Sequence, residues 1–135
     1  MEYRYKGSLA ALENADPVGD GGSVALVCHY AGAPATAVWR PGPRVLDALR
    51  VWPGTAIATF AAPSAGYTSM QGQCAALFLA AGPPDAEGRP SYIVILEQAP
   101  QQRILPRIVR RYTPQQAKGL RLADCDNAEA YYLIR

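Results

Sequence analysis

The chain has 135 residues, half of them hydrophobic, which is enough for one compact domain over residues 1–135 and too short for two. With 13 Lys and Arg against 11 Asp and Glu the net charge is only +2, so the composition gives no general attraction to nucleic acid or anionic lipid. No apolar run approaches the roughly 20 residues that a bilayer-crossing helix needs, and Met1–Ala10 has charges without the apolar centre of a signal peptide.

In chain order, Asp16–Gly22 is punctuated by Pro17, Gly19, Gly21 and Gly22 and predicts a turn. Ser23 follows as the N-cap of a helix over the apolar stretch Val24–Tyr30, which Ala31-Gly32-Ala33-Pro34 ends. Thr36–Arg40 and Pro43–Val51 read as a second, partly helical stretch, interrupted by Pro41-Gly42-Pro43 and closed by Pro53-Gly54. From Thr55 the periodicity changes. Thr55–Phe60, Cys74–Ala80, Tyr92–Glu97, Ile104–Tyr112 and Ala130–Ile134 are short runs rich in Ile, Val, Leu and aromatics between Gly/Pro loops. They predict five strands of a mostly antiparallel sheet, and an α+β fold in which the N-terminal helix lays its apolar face across that sheet. The loops Ala61–Gly72 and Gly82–Pro90 are expected to be its most mobile parts.

Arg103, Arg107, Arg110 and Arg111 form the one local basic cluster, but Ile104, Leu105, Ile108 and Val109 interleave with them, as in a half-buried strand with one solvated face. Cys28, Cys74 and Cys125 are odd in number and widely spaced, and resemble neither a zinc site nor a disulfide framework. His29 is the sole histidine, so no metal centre and no cofactor are expected.

Several segments together carry a family resemblance. Gly19-Asp20-Gly21-Gly22-Ser23-Val24-Ala25-Leu26-Val27, His29-Tyr30-Ala31-Gly32-Ala33-Pro34 and Trp39-Arg40-Pro41-Gly42 resemble the opening of the small bacterial NlpC-type, papain-like cysteine amidases related to type VI secretion amidase effectors. Gly54–Phe60, Cys74-Ala75-Ala76-Leu77-Phe78-Leu79, Val94-Ile95-Leu96-Glu97-Gln98 and Asn127–Ile134 resemble that family's strands in order. The resemblance implies a papain-like fold and an ancestral amidase acting on peptidoglycan peptides. It also implies a Cys-His-Asp triad, whose three positions here hold Ser23, Cys74 and Glu97.

Such an amidase needs a thiolate at a helix N-terminus, an imidazole base and a group that orients it. Serine has a hydroxyl of far higher pKa, and a cysteine cannot relay protons near neutral pH as an imidazole does. On a helix starting at Ser23, Cys28 lies roughly 140° and His29 about 240° round, so neither replaces the missing groups. Cys74 is expected to face Ser23, with Glu97 near it and no cation.

The leading expectation is therefore a pseudo-amidase that acts by binding, either a peptidoglycan stem peptide or a protein partner of a secretion or toxin system. Two alternatives are an active amidase effector with an unorthodox site, and an inhibitory or immunity-type protein derived from an amidase. The chain is expected to be cytoplasmic as synthesised, with export to a target-cell periplasm requiring no signal peptide. Trp39 and Trp52 are expected in core packing and would contribute to binding if exposed.

Overall fold

The computed structural model of the chain describes residues 2–69 and 72–135. Its centre is one six-stranded antiparallel sheet made of β1 (Pro41–Arg44), β2 (Ala56–Thr59), β3 (Ala75–Ala81), β4 (Tyr92–Glu97), β5 (Leu105–Arg110) and β6 (Tyr131–Ile134). The strands lie in the order β1-β6-β2-β3-β4-β5. The predicted α+β class is the observed one; four strands fall within their predicted runs, and β3 extends one residue past its run, to Ala81. The sixth, β1, occupies the Pro41-Gly42-Pro43 stretch expected to be an interruption. It pairs with β6, Pro41 opposite Ile134 and Arg44 opposite Tyr132. Prolines are tolerated there because β1 is an edge strand.

Three α-helices accompany the sheet: α1 (Leu9–Leu12), α2 (Ser23–Ala31) and α3 (Pro114–Leu120). Only α2 was anticipated. Gly32 ends it in the left-handed conformation, φ 73°, with its N–H on Val27 O. The second stretch predicted as partly helical contains single 3-10 turns at Thr36–Val38 and Val45–Asp47.

Alternation along the strands separates two cores. On one face Leu26 and Val27 of α2 pack over Ala56, Ala58, Ala75 and Leu77, together with Trp39, Leu96 and Ile134. The alanines let the helix approach closely, and each Leu or Val side chain buried here is worth about 1.5–3 kcal/mol of transfer free energy. On the other face Ile57, Ala76, Phe78, Ile93, Ile95, Val109, Tyr131 and Leu133 are covered by Val45, Leu46 and Ala128. Trp39 is buried as expected, with Nε1 donating to Pro34 O at 2.8 Å. Trp52 departs from expectation: it is exposed, between the guanidinium groups of Arg4 and Arg50 at 5.1 and 4.5 Å from its ring.

The basic strand β5 is half-buried. Val109 lies in the core, Arg107 is half-buried, and Ile108 and Arg110 face solvent. In the loop Ala61–Gly72, Met70 and Gln71 lie outside the described residues. The loop Gly82–Pro90 is tied by a Pro84–Pro90 bridge and by Arg111, which pairs with Asp85. Among the described residues no helix is long and apolar enough to cross a membrane.

Candidate functional site

The chain reaches the start of α2 through two glycines at positive φ, Gly19 (60°) and Gly21 (83°). A Cβ on Gly21 would also press on the backbone of Pro100, at 3.3 Å. Gln98, 2% exposed, holds this loop from β4's end: its Oε1 accepts from Val18 N at 2.9 Å, and its Nε2 donates to Val18 O and Gly22 O at 3.0 and 2.8 Å. The loop thereby presents the helix start to the beginning of β3.

Ser23 is not the N-cap. Gly22 takes that position without a side-chain hydrogen bond, and Ser23 is the first helical residue. Its Oγ accepts instead from the backbone N–H of Ala75 at 3.1 Å, tying α2 to β3. It lines a cleft of about 330 Å³ together with Asp20, Val24, Thr36, Tyr67 and Gln73. Tyr67 is fixed by Trp39 and Phe60, with ring centroids 4.8 and 6.0 Å away. Burial pushes the Tyr67 hydroxyl pKa up, and its hydrogen bond to Ser23 opposes that shift. Asp20 is turned back onto its own loop, accepting from Gly22 N at 2.8 Å. A larger cavity of about 570 Å³, lined by Val45–Val51 and Phe78–Ala81, contains none of the three expected site positions.

Cys74 departs from its expected environment. It is joined to Cys125 in a disulfide, correcting the reading that the cysteines form none. Wide sequence spacing did not prevent the pairing, because the turn before β6 returns to β3's start. The Cys74 sulfur lies 3.1 Å from the Tyr131 hydroxyl and packs against the core on the face away from α2. Ser23 meets the backbone just after Cys74 rather than its sulfur. The sulfur is therefore neither an available thiolate nor a base.

Glu97 belongs to the same side of the sheet as Cys74, and the expected absence of a nearby cation is also corrected. Arg107 grips Glu97 with two hydrogen bonds at 2.6 and 3.2 Å, reaches Asp126 at 2.9 Å and donates to Cys125 O at 3.0 Å. Tyr131 completes the group by donating to Cys125 O at 2.9 Å. Burial raises the Tyr131 pKa far above its ordinary value of 10.

His29 is exposed on α2 with its ring edge-on to Tyr30, centroids 4.6 Å apart. The half-buried Cys28 thiol points to Pro34 O at 3.7 Å, and burial pushes its pKa up. Among the described residues no group of three or more His, Cys, Asp or Glu is placed to hold a metal ion. Sequence reasoning missed the roles of Gln73, Gln98 and Tyr67. A glutamine two residues after Leu96 continues the core-facing alternation of β4 just past its end, and that parity is the signal that could have found Gln98.

No protein-family model matches the chain, and no curated protein matches it. Among solved structures it is similar to "Type 6 secretion amidase effector 2 (Tae2)", with a TM-score of 0.77 and 26% identity over 98% of this chain and 94% of that chain. With the element order above, this similarity gives the chain a papain-like α+β fold and an amidase-related context.

Proposed function

We propose that this chain is a single NlpC-like, catalytically degenerate amidase domain that acts by binding, in a type VI secretion or peptidoglycan context. In this reading Ser23, Cys74 and Glu97 are the vestigial positions of a Cys-His-Asp triad. The observation that carries it is the state of the α2 N-terminus. A serine stands in its first turn, its oxygen accepts a backbone N–H, and no imidazole lines the cleft. A serine hydroxyl attacks an amide only when a base removes its proton. The sulfur at position 74 is bound to Cys125, and Glu97 is held by Arg107.

What the cleft retains is suited to recognition. The α2 N-terminus has no side-chain cap, so first-turn N–H groups and the helix dipole face a cleft beside Tyr67 and Gln73. That combination suits a carboxylate or carbonyl of a peptidoglycan stem peptide.

The test compares the natural chain with Ser23→Ala. Each is incubated with peptidoglycan and synthetic stem peptides, with products followed by mass spectrometry and binding by calorimetry. Binding without cleavage by the natural chain is the expected result. Cleavage by the natural chain that Ser23→Ala abolishes would overturn the proposal.

A further inference from the structure

Two segments far apart in sequence are zipped together beside the Ser23 cleft. One is the segment leading into β3, residues 72–75. The other is the single 3-10 turn Asp124–Asp126, none of whose side chains is buried. Cys125 N donates to Gly72 O at 3.1 Å, Gln73 Nε2 to Asp124 Oδ2 at 2.6 Å, and the disulfide joins Cys74 to Cys125 with Cα atoms 5.8 Å apart, within the ordinary range for such a bond. The same short stretch carries two groups of the cleft: Gln73, which lines it, and Ala75, whose N–H meets Ser23 Oγ. With no buried apolar side chain to hold the turn, the contacts across the zipper are hydrogen bonds of partly solvated groups, and the covalent bond is its one strong member.

We propose that oxidation of Cys74 and Cys125 fixes the Gln73 wall of the Ser23 cleft. As two thiols, the turn and residues 72–74 part, and Gln73 loses its Asp124 partner, while Ala75 stays paired with Ala58 of β2. As a disulfide, they are locked. The biological meaning rests on the binding role proposed above, whereas the structural claim does not.

The oxidant is a disulfide of the class R–S–S–R, small or protein-borne. One cysteine thiolate attacks it, forming a mixed disulfide and releasing RS⁻. The second thiolate attacks the protein sulfur of that mixed bond, closing Cys74–Cys125 and releasing the second RS⁻. The two cysteine protons end on the two released thiols. Such bonds persist in oxidising compartments and are kept open in reducing cytoplasm. That wall is then fixed only after the chain leaves the cytoplasm.

The experiment needs no ligand. The chain is held in oxidised glutathione or in dithiothreitol, beside Cys125→Ser, and amide exchange is followed residue by residue by NMR. Reduction is expected to speed exchange of the Cys125 amide by about tenfold or more, while Ala75, paired with β2, and Ile93 and Ile95 in β4 are unchanged. Oxidised glutathione restores protection in the natural chain and not in Cys125→Ser. Unchanged exchange at Cys125 on reduction would overturn the proposal. Equal acceleration throughout the chain would also overturn it, because the bond would then be a global staple. Failure to lose two mass units in oxidised glutathione would do the same.

Discussion

Replacing Gln98 with Met removes the clamp on the loop leading into α2 while keeping a side chain of similar length. Three hydrogen bonds are lost; Val18 N–H loses its partner, while Val18 O keeps the Gly21 N–H. At about 0.5–1.5 kcal/mol net each, the loss is about 1.5–4.5 kcal/mol. Val18 and Gly22 are only half-buried, so water recovers part of it, and the expected cost is about 2–3 kcal/mol. Unfolding entropy of about 2.1 cal/mol/K per residue converts this to a fall in Tm of about 7–11 °C for a chain of this length. Urea denaturation with an unchanged slope, beside calorimetry, measures both quantities. A loss below about 0.5 kcal/mol would refute the reasoning, because a buried amide with three partners cannot be so cheaply replaced.

Arg107→Ala leaves Glu97 unpaired and Cys125 O without one of its donors, with an expected loss of about 1–3 kcal/mol by chemical denaturation. Arg107→Lys, which keeps the charge but not the two-pronged geometry, should recover less than half of it; full recovery would show that charge alone matters. Alkaline stability follows from Tyr131, whose pKa burial raises, with Glu97 and Asp126 adding to the shift and Arg107 opposing it. The folded state keeps this proton when the unfolded chain has lost it. The stabilisation is therefore complete below the ordinary value of 10 and is lost as pH rises beyond it, by up to about 1.4 kcal/mol per pH unit. Tyr131→Phe should flatten that slope, and a natural chain whose stability is level to about pH 11 would contradict it. Leu26→Ala, at a fully buried position of α2, should cost about 3–5 kcal/mol, read by the same denaturation curves.

The strands β2 to β6 were legible because runs such as Tyr92–Glu97 concentrate Ile, Val and Leu between turn residues, and burial demands that composition. β1 was not, since Pro-Gly-Pro carries no strand signal and is made a strand only by β6 beside it. Helix α3 buries no side chain, so it has no apolar period to read. Its signature lay in the cap: Thr113 and Gln116 exchange side-chain and backbone hydrogen bonds around Pro114. At the candidate site, the start of α2 could be placed from its glycines. The exchange of partners could not, because whether Ser23 caps its own helix or meets Ala75 depends on where β3 arrives. The Cys74–Cys125 bond was hidden for the same reason: 51 residues separate its ends, and only the folded sheet brings them together.

Both margins of the sheet bear on how another molecule can engage this one. In β1, Pro41 and Pro43 have no N–H to offer. In β5, Arg111 N points inward to Ser91 O, and two-residue alternation then turns the nitrogens of Pro106, Ile108 and Arg110 outward. Pro106 thus removes one outward donor, and the exposed Arg110 places a cation beside another. Neither margin offers a continuous row of donors for an added strand, so the ladder stops at six. Regular pairing by a second copy of the chain is therefore interrupted at Pro41 and Pro43 on one margin and at Pro106 on the other.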